Sequence, residues 1–135
     1  MILADISDKA LDHARSNVAR YHLEERVAFR CADGLNALDI PCGCISIMGM
    51  GGEMIATILQ QGQARLQGAT LVLSAHTDLP LVRQAIVDIG YHFVAERLCQ
   101  AGGRFYVVWK SLPGAATLSA EEIALGTPLL LETNP

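Results

Sequence analysis

The chain has 135 residues, enough for one domain with one hydrophobic core, and its 51% hydrophobic and 18% charged residues exclude a disordered chain. No apolar run reaches the roughly 18 residues that span a bilayer, and the N-terminus shows no charged start, apolar stretch and small-residue cleavage site, so the expectation is a cytoplasmic protein without a membrane anchor. A formal net charge of −4 with ten scattered basic residues argues against this segment gripping nucleic acid alone, because phosphate binding relies on clustered Lys and Arg.

Along the chain, short apolar runs alternate with amphipathic stretches. Ile2-Leu3-Ala4 reads as a strand ending at Asp5. Ser7 can cap a helix whose apolar positions Leu11, Ala14, Val18 and Tyr21 recur at steps of three and four on one face. Val27 to Cys31 is a second strand, followed by the turn Ala32-Asp33-Gly34. Cys44 to Met48 is a third, fully apolar strand that runs into Gly49-Met50-Gly51-Gly52 and a helix with Ile55, Ile58, Leu59 and Leu66 inward. Gly68 ends that helix, and Ala69 to Ala75 is a fourth buried strand. Thr77 or Asp78 can cap the next helix, with Pro80 in its first turn and Val82, Ala85, Ile86 and Ile89 inward, until Gly90 stops it. His92 to Leu98 and Phe105 to Lys110 are two strands joined by Gln100-Ala101-Gly102-Gly103, a hairpin signal. Pro113-Gly114 marks a boundary, and Ser119-Ala120-Glu121-Glu122 has the capping-box pattern that opens a short helix.

Strand–helix alternation implies an α/β fold with a mostly parallel sheet and helices on both faces. A closing antiparallel hairpin on such a sheet is the usual tail of Rossmann-like methyltransferases, whereas dinucleotide dehydrogenases continue with another strand–helix unit. The four cysteines do not suggest zinc. Cys42 and Cys44 are one residue too close for a C-x-x-C pair, and His76 and His92 are not spaced as partners. No metal is expected, and the thiols are expected to be buried and reduced.

Ligands of such sheets bind beyond the carboxyl ends of the strands. Asp5 ends the first strand, where an acid can accept both hydrogen bonds of a ribose diol. Asp33-Gly34 follows the second, where a carboxylate can accept from an adenine amino group. Gly49-Met50-Gly51-Gly52 follows the third, where glycines let backbone and ligand approach closely. Each has a purely structural explanation as well: a helix cap, a common turn pair, a steric glycine turn. The signal lies in their order after consecutive strands.

Ala4-Asp5-Ile6-Ser7, Ser16-Asn17-Val18, Ala32-Asp33-Gly34-Leu35 and above all Ile47-Met48-Gly49-Met50-Gly51-Gly52 resemble the bacterial tRNA (adenine-22-N1)-methyltransferase family. Leu73-Ser74-Ala75-His76-Thr77-Asp78 with Val82-Arg83, Gly103-Arg104-Phe105-Tyr106 and Leu125-Gly126-Thr127-Pro128 extend the resemblance over almost the whole chain. It implies a class I methyltransferase fold using S-adenosylmethionine on a tRNA substrate. Asp5 and Ile6 would lie at the cofactor ribose, Ala32, Asp33 and Gly34 at its adenine, and Gly49, Met50, Gly51 and Gly52 along the cofactor and the entering base. Where the family often has a Q-P-N-like triplet, this chain reads Ser74-Ala75-His76. His76 and Tyr106 are the candidate substrate contacts: the histidine as a proton acceptor or a loop cap, the tyrosine, like Phe105, as a stacking ring or a sheet-packing residue.

The same resemblance implies a first strand, with an Asp-x-Gly-like loop and a helix, ahead of Met1, lying between the strands of Asp5 and Met48. It divides the chain into a partial cofactor-binding domain over 1–112 and a linker with the start of a C-terminal helical domain over 113–135. The expectation is a protein longer at both ends, of which this stretch is inactive and marginal in stability alone. Two other readings stay open. A nicotinamide oxidoreductase would want G-x-G-x-x-G directly after its first strand, where this chain has Asp5-Ile6-Ser7. A non-catalytic cofactor-binding or scaffolding remnant would lack the upstream loop.

Overall fold

In the computed structural model, residues 1–133 are described, and the chain divides into one unit spanning Met1–Pro41 and another that begins at Cys42. In the first unit, Ile2–Asp5 forms β1, Asp8–Arg20 forms α1 and Ala28–Cys31 forms β2. β1 and β2 run parallel, from Ile2 opposite Ala28 to Asp5 opposite Cys31. A parallel pair needs a crossover, and α1 supplies it. The helix starts where the sequence places it: Ser7 Oγ accepts from the Ala10 amide at 3.3 Å. Leu11 and Val18, seven residues apart on one stripe, are its buried positions. Tyr21 does not join them. It is the first residue past the helix, 67% exposed, with the Arg20 guanidinium over its ring. The helical period stops applying where the helix ends, so counting on to Tyr21 overshoots. A 3₁₀ turn at Gly34–Ala37 after β2 buries Leu35 and Ala37.

The second unit contains β3 (Cys44–Met50), α2 (Gly52–Gln61), α3 (Gln63–Leu66), β4 (Thr70–Ala75), α4 (Leu79–Asp88), β5 (Tyr91–Ala101), β6 (Arg104–Pro113), α5 (Ala120–Leu125) and α6 (Pro128–Thr133). Its sheet has the order β3-β4-β6-β5, with β3 and β4 parallel and β6 antiparallel to both its neighbours. Ile55, Leu59, Leu71, Leu73, Val82, Ile86 and Trp109 are fully buried and form the centre of the core. Removing each such aliphatic side chain from water contributes about 1.5–3 kcal/mol. β3 is apolar as expected but is not buried on both faces: Ile45 and Ile47 point inward, while Cys44, Ser46 and Met48 are exposed. Among the described residues β1 pairs with β2 alone and β3 with β4 alone.

Further local details depart from the sequence reading, among them the helix expected to run on to Leu66, which is split into α2 and α3 at Gly62. The hairpin turn is two residues, not four, because Gln100 and Ala101 still pair with Phe105 and Arg104. Gly102 and Gly103, at φ +56° and +74°, supply the two left-handed residues that such a tight turn demands. Asp78 precedes α4 at φ +54° without a side-chain cap, and its carboxylate accepts from the Thr77 hydroxyl at 2.8 Å instead. A capping side chain needs an extended backbone, which a left-handed residue lacks. Cys31, Cys44 and Cys99 are exposed and Cys42 half-buried, so the thiols are not core residues. The capping box does form: Ser119 Oγ accepts from the Glu122 amide at 3.1 Å, and Glu122 Oε2 accepts from the Ser119 amide at 2.8 Å. No helix among the described residues is long and apolar enough to cross a membrane.

Candidate functional site

In the first unit, the register of the parallel pair sets Asp5 opposite Cys31, so the carboxyl ends of β1 and β2 are level. The Ala32 amide donates to the Asp5 carbonyl at 3.1 Å, and the Cys31 thiol reaches the Ile6 carbonyl at 3.5 Å. Asp5, Ile6, Ala32, Asp33 and Gly34 are thereby gathered at one end of two strands. Both acids are exposed. Their engagements differ: Asp5 Oδ1 accepts from the Ser7 amide at 2.7 Å, whereas Asp33, at the start of the 3₁₀ turn, makes no side-chain cap. Gly34 is left-handed at φ +54°, which suits glycine and closes the turn tightly.

In the second unit, the glycine turn lies where β3 meets α2. Gly49 has φ +82°, and nothing stands within 4 Å of where a side chain would project. A Cβ on Gly51 would lie 3.1 Å from Thr77 Oγ1, and one on Gly52 would lie 2.4 Å and 2.5 Å from the Asp78 and Thr77 carbonyl oxygens. The turn is tied to the end of β4 by two backbone bonds: Gly52 donates to the Thr77 carbonyl at 2.9 Å, and His76 to the Met50 carbonyl at 3.0 Å. Gly51 and Gly52 therefore have a packing role, and Gly49 a conformational one that leaves open space beside it.

His76 and Tyr106 come together. Their rings meet edge to face, 5.9 Å between centroids and 67° between planes. Since His76 is one residue past β4 and bonded to Met50, the pair stands beside the glycine turn. Tyr106 is half-buried. Phe105, on the opposite face of the hairpin, is 65% exposed and packs little of the sheet. No group of three or more His, Cys, Asp or Glu side chains is gathered for a metal ion among the described residues.

Sequence reasoning passed over the other charged cluster of this unit, Arg83 with Glu96, which is fully buried. Burial pushes the Glu96 carboxyl up. Hydrogen bonds from Thr127, Trp109 and Arg83 outweigh it and hold the group below the usual carboxylate range. The pair has no access to a ligand and is structural.

A methyltransferase domain family model matches residues 1–109. Among curated proteins, the chain is similar to the tRNA (adenine(22)-N(1))-methyltransferase of Bacillus subtilis strain 168, with 26% identity over 132 residues, covering 96% of this chain and 56% of that protein. Among solved structures, it is similar to Streptococcus pneumoniae Sp1610 in complex with S-adenosyl-L-methionine, with a TM-score of 0.90 and 30% identity, covering 97% of this chain and 62% of the other. It is similar as well to the Bacillus subtilis m1A22 tRNA methyltransferase TrmK, with a TM-score of 0.84 and 25% identity, covering 93% and 57%. The chain thus spans 56% of the curated relative's length.

Proposed function

The chain belongs to the methyltransferase domain family and has its Rossmann-like α/β fold, and on that premise we propose that it forms the cofactor-binding part of an S-adenosylmethionine-dependent tRNA (adenine-22-N1)-methyltransferase acting in the bacterial cytoplasm. The observation that supports this most is the pair of exposed acids at the level ends of β1 and β2, one of which caps nothing in its own chain. Those residues fit an adenosine-bearing cofactor: Asp5 can accept from a ribose diol and Asp33 from an adenine amino group, with Ile6 and Ala32 beside them and Gly34 keeping the turn close. Gly49, Met50, Gly51 and Gly52 line the cofactor and the entering base, and the open space at Gly49 suits such an approach.

When bound, S-adenosylmethionine supplies a methyl group on a sulfonium sulfur, which an attacking nitrogen can displace. Adenine N1 brings its own lone pair, so the chain needs no strong base; its residues have to orient the two partners and exclude water. The methylated ring carries a positive charge, and carbonyl oxygens at the glycine turn are of the type that stabilises it as it develops. The target adenine has to leave its stack to present N1. Tyr106, with His76 set edge-on against its ring, is the surface on which it stacks. Basic surface for tRNA has to come from outside this acidic chain.

Amide NMR of the 135-residue chain, titrated with S-adenosylhomocysteine to a few millimolar, tests the reading. The expected result is a set of shifts at Ile6, Ala32 to Leu35 and Gly49 to Gly51. Shifts confined to other residues, or none at all in a folded chain extended upstream by the expected first strand and its loop, would contradict it.

A further inference from the structure

The chain between α5 and α6 is held by the buried charge pair. Arg83, on α4, is 2% exposed and Glu96, on β5, is 0% exposed. Arg83 Nε and Nη2 each lie 2.8 Å from Glu96 Oε1, and Trp109 Nε1, from β6, donates to the same oxygen at 2.9 Å. The other carboxylate oxygen accepts from the Thr127 amide at 2.7 Å. Arg83 Nη1 donates to the Ile123 carbonyl at 2.9 Å and reaches that of Ala124 at 3.5 Å.

These bonds have a common logic. The last carbonyls of a helix and the first amides of the next lack partners within their own helices. Here the guanidinium serves the end of α5, and the carboxylate serves Thr127, just before α6. Gly126 lies between them at φ +124°, a backbone only glycine adopts easily. A Cβ there would stand 2.9 Å from Leu130 Cδ2 and 3.5 Å from both Arg83 Nη2 and Glu96 Oε1. The Leu125-Gly126-Thr127-Pro128 stretch is therefore shaped to the pair: glycine to come close, an amide at 127 to bond, proline to start α6. A buried ion pair adds little net stability over apolar residues of similar volume, but it accepts one arrangement of its partners.

We propose that Arg83 and Glu96 form a latch that docks residues 119–130 onto α4 and β5 and so fixes the direction in which the chain continues past the hairpin. The latch uses none of the residues assigned to the cofactor and holds whether or not the methyltransferase reading does.

Hydrogen exchange on the 135-residue chain tests it. In the unaltered chain, the Thr127 amide exchanges as slowly as those of Leu71 and Leu73 in β4. In the double variant Arg83→Met with Glu96→Met, which removes both charges together, β4 keeps its protection while amides from Ser119 to Leu130 lose at least about tenfold. Fast exchange at Thr127 in the unaltered chain overturns the proposal by itself, even where the double variant does not fold. So does a folded double variant whose 119–130 segment stays as protected as before, because apolar contacts would then hold it.

Discussion

The turns that end the parallel strands are made of opposite materials in the two units. After β3 the chain uses glycine, and each glycine has a task within the protein: φ +82° at Gly49, room for Thr77 Oγ1 at Gly51, room for two carbonyls at Gly52. After β1 and β2 it uses acids, and they do little for the protein: Asp5 holds one amide and Asp33 caps none. The glycine block is the more specific sign in the sequence, yet altering it disturbs the backbone first and any ligand second. Asp-Gly is a common turn pair, yet Asp33 is the cleaner reporter of a ligand because the fold does not depend on it.

That contrast can be broken or sharpened by substitution. The largest loss is expected away from both turns, at Arg83→Met, which leaves Glu96 buried without its counter-charge and costs about 3–5 kcal/mol in urea unfolding. A loss no larger than those at the turns would remove the reference against which they are read. Gly52→Ala comes next, at about 1–3 kcal/mol, because its Cβ meets main-chain oxygens that move only if α2 shifts. Gly49→Ala costs less, about 1–2 kcal/mol, since a left-handed backbone is its one penalty and the space beside it is open. Equal losses at the two glycines would show that packing against Thr77 and Asp78 is not what distinguishes them.

A smaller effect is expected on pH dependence. The folded Glu96 carboxyl titrates below its unfolded value of about 4.3. Its ionised form thus stabilises the fold above that value, and this contribution is lost as pH falls through the lower folded value. Thermal melts between neutral and strongly acid pH should show a shallower acid loss in Glu96→Gln than in the unaltered chain. Parallel curves would contradict this linkage.

The order of strands and helices along the chain, the closing hairpin and the acids at the strand ends were legible because they rest on local patterns: short apolar runs, turn pairs and capping residues. The latch was not. β5 carries a bulge, its register passing from Phe93 opposite Ser111 to Ala95 opposite Lys110. Simple alternation from Phe93 would send Glu96 outward, whereas the extra residue brings it in beside Trp109. The left-handed Asp78 was hidden for a related reason. Its carbonyl lies against Gly52, a close approach between distant parts of the sequence that no local pattern discloses. The groups for which Gly51 and Gly52 make room were equally out of reach, since they depend on where Thr77 and Asp78 come to rest.

The most direct test of the central claim is a pair of readings on Asp33→Ala. The account predicts a stability within about 0.5 kcal/mol of the unaltered chain, together with loss of the S-adenosylhomocysteine-induced shifts at Ala32 to Leu35. Retention of those shifts in a stable variant would contradict it, because Asp33 would then hold neither the fold nor the cofactor.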